Sequence, residues 1–156
     1  MVNILFLCLG NICRSPMAEA IFRDLVEQEQ LQDKIKVDSA GIGKWHVGKP
    51  PHQGTRRLLD QYSISYKGLQ ARQIQRKDFR DFDYIIAMDD NNINDLQQIE
   101  QVTNEVVVAK LMDFVDEPQE VNVPDPYFTN NFEYTYELVQ EGCKQLLQHI
   151  KSTHQL

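Results

Sequence analysis

The chain has 156 residues, 42% hydrophobic and 25% charged, a composition that fits one globular domain able to bury a core. Its formal net charge of −7 lacks the basic footprint of a nucleic-acid binder and gives no attraction to an anionic membrane, so any phosphate chemistry must rest on a local positive field. Three cysteines, an odd number in a chain large enough to fold without staples, fit a reducing cytoplasm better than a disulfide framework.

The apolar run from Val2 to Leu9 is interrupted by Asn3, lacks a basic lead and is too short to span a bilayer; it reads as a buried strand, Val2–Cys8. A short loop with Gly10 and Asn11, which tolerate positive φ, leads to a helix with Ser15 as expected N-cap and Pro16 at its first position. Ala18, Ile21, Phe22, Leu25 and Val26 then form one apolar stripe, which fades between Glu27 and Asp33. Ile35–Ser39 reads as a second strand running into a loop from Ala40 to Gly43, and Pro50-Pro51 closes the loop Lys44–Lys49. The pattern next predicts a helix over Gln53–Tyr62 with Leu58, Leu59 and Tyr62 inward, a strand over Asp83–Met88, and a helix over Asp89–Gln98 opened by acidic residues. A short strand at Val106–Val108, a proline-bearing loop over Val121–Asn131 and a last helix from about Glu133 to Lys151 complete the series. The last helix buries Tyr136, Val139, Cys143, Leu146, Leu147 and Ile150.

Alternating strands and helices with right-handed crossovers define an α/β fold with a parallel sheet flanked by helices on both faces. No linker, repeat or low-complexity tract divides the chain, so residues 1–156 read as a single domain. Ligands in such sheets bind beyond the carboxyl ends of the strands, where the loop from Leu9 to Arg14 lies.

That loop, in Cys8-Leu9-Gly10-Asn11-Ile12-Cys13-Arg14-Ser15-Pro16, carries the chemistry. A cysteine six residues before an arginine means little alone. Between a buried strand and a helix start, however, flexible backbone aims several N–H groups at one spot, and the helix dipole adds partial positive charge. Arg14 adds a planar fork that matches phosphate oxygens. The same field stabilises Cys8 as a thiolate nucleophile without a histidine, and Ser15, besides capping, is placed to donate to it.

The segment Cys8–Pro16, followed by Met17-Ala18-Glu19-Ala20, closely resembles the signature of the low-molecular-weight protein tyrosine phosphatases. Asp38-Ser39-Ala40-Gly41 with Trp45, Ala71-Arg72-Gln73, Ala87-Met88-Asp89 with Asn92, and Pro124-Asp125-Pro126-Tyr127 resemble further landmarks in family order. The resemblance implies a three-layer sandwich around a four-stranded parallel sheet, a phosphocysteine intermediate, and no metal or cofactor. It also implies that Leu9, Gly10, Asn11, Ile12, Cys13 and Ser15 bind substrate phosphate with Arg14, and that Ser39 and Asn11 hold the loop in shape.

A leaving alkoxide or phenoxide needs a proton, and water must later be activated, tasks one carboxyl performs in turn. Acidic residues are numerous, so residue chemistry alone selects none. Asp125, stiffened between two prolines and followed by the aromatic pair Tyr127-Phe128, is the best candidate for a desolvated acid, and the resemblance puts the general acid there. Leu9, Ile12, Trp45 and Tyr127 are expected to wall a crevice for a phosphoaryl group. The four histidines lack metal-ligand spacing and are read as structural.

These expectations define a phosphotyrosine phosphatase acting on protein substrates, inhibited by inorganic phosphate and other oxyanions, with no nucleic-acid or membrane partner. Related arsenate reductases require two further cysteines in a mobile segment, whereas this chain offers only Cys13 and Cys143. Phosphoarginine phosphatases of the same pattern carry threonine where this chain has Ile12. Cys13, close to Cys8 across the loop, is a candidate partner for a reversible disulfide under oxidation.

Overall fold

The computed structural model describes residues 1–101, 103 and 105–156. Its centre is β1 (Val2–Cys8), which pairs in parallel with β2 (Ile35–Gly41) on one side and β3 (Tyr84–Ala87) on the other; β4 (Val107–Lys110) pairs with β3. The strand order β2-β1-β3-β4 puts the chain's reversal of direction beside β1, so the loop leaving Cys8 opens at a switch point of the sheet.

Successive β1 residues face opposite layers, as strand geometry requires. Ile4, Phe6 and Cys8 join the larger apolar cluster with α1 (Arg14–Gln28), α2 (Gln53–Gln61) and α6 (Phe132–His154). Leu5 and Leu7 join a smaller cluster with Phe79 of α3 (Asp78–Asp81) and Leu96 of α4 (Asp90–Ile99). Helices therefore cover both faces, as the near-continuous apolar run of β1 predicts.

The main elements match the sequence-based series, with differences that have local causes. Helix α1 starts at Arg14, with Cys13 as its uncapped flank, so Ser15 lies inside the first turn and does not cap it. Strand β2 continues through Ala40 to Gly41 because Gly41 pairs with Cys8 and donates its N–H to Arg72 O at 2.8 Å. Strand β4 is shifted to Val107–Lys110. Tyr62 is not inward: it is exposed, stacked on Tyr136 at 4.1 Å, with its hydroxyl donating to Glu133. Three single-turn elements were not predicted: α3, a 3₁₀ turn at Leu111–Phe114, and α5 (Pro126–Thr129) within the expected loop.

Candidate active site

A cavity of about 370 Å³ opens at the end of β1. Cys8, Gly10, Ile12 and Cys13 line it from the loop, with Leu9 beside them, and Asp125 enters from the other side. Trp45, Tyr127 and Phe128 form its outer walls and are 65%, 55% and 73% exposed. The expected walls are thus present, but the Tyr127-Phe128 pair stands open to solvent and does not blanket Asp125. That carboxylate is held by polar contacts: Oδ1 accepts from Tyr127 N–H at 3.1 Å, and Oδ2 lies 3.3 Å from an Nη of Arg14.

Asn11, Arg14, Ser15 and Ser39 do not line the cavity; they are buried behind the loop and determine its shape. Asn11 takes the left-handed conformation at φ 57°, uncommon for a residue with a side chain. Three contacts hold it there: its Oδ1 accepts from Arg72 N–H at 3.0 Å, and its Nδ2 donates to Ser15 Oγ at 2.7 Å and Ser39 Oγ at 2.9 Å. Its own N–H then points at Cys8 Sγ, 3.3 Å away. Close approach of β2 helps, since a Cβ on Gly41 would come within 3.1 Å of Asn11 N.

The hydroxyl protons have a consistent direction. Ser15 Oγ accepts from Asn11 and so keeps its proton for Cys8 Sγ at 2.9 Å. Ser39 Oγ also accepts from Asn11 and donates to Glu19 Oε1 at 2.6 Å. A polar chain thus runs from the buried Glu19 to the reactive sulfur. Burial raises the Glu19 carboxyl to about 7, with Asp38 adding and the Ser39 bond, Arg23 and Arg72 opposing.

Arg14 is almost fully buried. One Nη donates to Asp89 Oδ2 at 2.6 Å and to Val123 O at 2.9 Å, and the other faces Asp125. Burial alone disfavours the charge, but Cys8, Asp125 and Asp89 hold the guanidinium above its ordinary pKa. Its buried Nε has no hydrogen-bond partner among the described residues. A buried donor without an acceptor costs stability, and an oxyanion cradled by the loop would complete it. Cys13, by contrast, is kept a neutral thiol: burial, then the negative charges of Cys8 and Asp125, push it up against the pull of Arg14.

Sequence reasoning missed several residues here. The sequence marks Asp89 as a helix-opening acid and part of a family landmark, with no role toward Arg14; it does cap α4, accepting from Asn92 N–H at 2.8 Å, and it also anchors Arg14. Glu19 sits in a helix where acids are usually solvated, and only its Ser39 contact reveals it. His46 lines the cavity, and His52 caps α2 while donating its backbone N–H to Ile12 O at 2.6 Å; the structural reading holds for His52 but is incomplete for His46. His154 pairs with Tyr84 OH at 2.9 Å, far along the chain from the site.

A thiol and a carboxylate on one cavity, with a buried arginine bearing a free donor behind its loop, define the class of cysteine-dependent oxyanion-handling enzymes. The sequence pattern of the low molecular weight phosphotyrosine protein phosphatases matches residues 3–156, and the chain belongs to that family. It is 52% identical to the low molecular weight protein-tyrosine-phosphatase YfkJ of Bacillus subtilis, over 100% of both chains. It is 46% identical to the low molecular weight protein-tyrosine-phosphatase PtpA of Staphylococcus epidermidis, covering 96% of this chain and 94% of that one. The crystal structure of YfkJ superposes with a TM-score of 0.95 over 98% of this chain and 96% of that one. The crystal structure of DARP, a drosophila arginine phosphatase, shares the fold with a TM-score of 0.87 at 36% identity, covering 95% of this chain and 97% of that chain.

Proposed function

We propose that this chain, acting as one domain over residues 1–156, hydrolyses phosphotyrosine monoesters in protein substrates. The observation that carries the reading is the buried, unpartnered Nε of Arg14 behind a loop that brings Cys8 and Asp125 to one cavity. The loop backbone from Leu9 to Cys13 and the Arg14 fork hold the phosphate. The Cys8 thiolate attacks phosphorus, the ester P–O bond breaks, and the departing phenoxide takes a proton from the Asp125 carboxyl. The Asp125 carboxylate then takes a proton from water, whose oxygen attacks the phosphocysteine. The P–S bond breaks and the thiolate returns, received by the Ser15 hydroxyl and the Asn11 N–H. Nucleophile, cation and acid are all side chains, so the reaction needs no metal or cofactor.

Trp45, Leu9, Ile12 and Tyr127 receive the aromatic ring of the substrate, and Ser39 with Asn11 keeps the cradle in shape. Ile12 puts a hydrocarbon branch at the cavity wall, which suits an aryl group better than a polar guanidino group. Inorganic phosphate and similar oxyanions would inhibit by occupying the cradle. Three unpaired cysteines suit work in a reducing cytoplasm, and no helix among the described residues is long and apolar enough to cross a membrane. The test is turnover of phosphotyrosine, phosphoserine and phosphoarginine peptides side by side, with Cys8→Ser as control. Preference for phosphotyrosine and no turnover by the folded variant are expected; near-normal hydrolysis by Cys8→Ser would refute the mechanism.

A further inference from the structure

All 23 Asp and Glu residues of the chain lie outside residues 39–59, a stretch that carries Lys44, Lys49, Arg56, Arg57, His46 and His52. This stretch frames the cavity. Trp45 and His46 line it, and His52 packs edge-on against Tyr127 at 6.2 Å between ring centroids. Beyond His52 lies a second depression of about 390 Å³, bordered by His52, Arg57, Asn130 and Phe132. Lys44, Lys49 and Arg57 are exposed, and none has an ion-pair partner among the described residues. Among the paired cations elsewhere, Lys110 meets Asp90, Lys151 meets Glu29, and Arg72 meets Asp38 and Asp78. The second depression also carries one acidic residue, Glu133, whose Oε1 accepts from the Tyr62 hydroxyl.

In a chain of net charge −7, a run of 21 residues with four Lys and Arg and no carboxylate, residues 39–59, beside an apolar crevice is a local exception that long-range self-repulsion does not explain. We infer that this stretch is a docking surface for acidic side chains flanking the phosphotyrosine of a peptide substrate. The phosphoaryl group enters between Trp45 and Tyr127, and carboxylates on neighbouring peptide residues lie over Lys44 and Lys49 or reach Arg57. This inference rests on the activity proposed above and narrows its substrates. Such contacts at a solvated rim act mainly on encounter and selection and leave the chemical step alone.

The test uses phosphotyrosine peptides of one length whose flanking residues are all Glu, all Ala or all Lys, with p-nitrophenyl phosphate as a substrate without flanks. At low ionic strength the Glu peptide should exceed the Lys peptide in kcat/KM by about tenfold, the effect of a few exposed pairs acting together. The gap should narrow in about 0.5 M salt. Lys44→Glu/Lys49→Glu protein should invert the order of peptides while hydrolysing p-nitrophenyl phosphate as the parent does; Arg57→Glu should narrow the gap. Equal kcat/KM on all three peptides would overturn the inference. So would one common loss on every peptide and on p-nitrophenyl phosphate, which would show that the cations only steer phosphate. If the parent turned over p-nitrophenyl phosphate but no phosphotyrosine peptide, the proposed activity would itself be wrong, and the docking surface with it.

Discussion

At the scale of single residues, Arg14 and Asp125 have separable tasks. Arg14→Lys should lose nearly all activity while folding, because an ammonium cannot reach Asp89, Val123 O and a phosphate with one fork. Asp125→Asn should slow phosphorylation of the enzyme more for phosphotyrosine, whose parent phenol has a pKa near about 10, than for p-nitrophenyl phosphate, whose phenoxide leaves readily. Equal losses measured by rapid quench across a leaving-group series would take the acid role from Asp125. Glu19 gives a prediction with a sign. Burial raises its carboxyl from 4.5 to about 7, so the folded protein holds this proton more tightly than the unfolded chain. Its stabilising contribution is therefore complete below pH 4.5 and disappears as pH rises through 7. Glu19→Gln removes the titration, so the Tm of the variant relative to the parent should rise between pH 5 and 8. A constant offset over that range would show that Glu19 does not titrate there. Cys13 is held as a neutral thiol, so peroxide should strike Cys8 first and Cys13 should then capture the sulfenic acid. Dithiothreitol should restore the oxidised parent fully and Cys13→Ser only partly, with Cys143→Ser behaving as the parent. A peptide map linking Cys8 to Cys143 would contradict this.

At the scale of elements, legibility followed periodicity. Strand β1 is evident from its near-continuous apolar run, and helices α1 and α6 from apolar residues at period 3.6, patterns that leave one arrangement to bury them. Single-turn elements were not, because tertiary contacts make them: α5 exists where Asp125 accepts from Tyr127 N–H, one bond that no local pattern announces. The Ser15 error has the same origin. Ser-Pro is a sound helix-start signal, but here the helix starts two residues earlier, at Arg14, and the hydroxyl turns inward to Cys8. Helix α6 also carries a feature that propensity misjudges. Gly142 sits mid-helix, where alanine ordinarily gains about 1 kcal/mol. A Cβ there would come 2.5 Å from Cγ of Leu111, which is fully buried. Gly142→Ala should therefore destabilise the protein by about 1–3 kcal/mol, seen as a lower urea midpoint at unchanged slope. A higher midpoint would mean that Leu111 yields at little cost.

At the scale of the whole molecule, the architecture and half of the site were readable for one reason: the phosphate cradle is contiguous in sequence. Cys8, the loop and Arg14 lie within β1 and the start of α1, so their spacing survives translation into structure. The remainder is assembled from distant segments. Asp89, Val123 and Asp125 stand 75, 109 and 111 residues beyond the arginine that they hold. No local pattern records such pairings, which is why Asp89 was seen as a cap and Asp125 was chosen only with help from its prolines. This division of the site has a consequence for synthesis. A nascent chain has its thiol and its loop residues almost at once, yet Asn11 lacks Ser39 and Arg72, and Arg14 lacks its full set of partners, until the segment around Asp125 has emerged and docked. Incomplete chains should therefore lack activity, and its appearance during refolding should mark docking of the segment around Asp125.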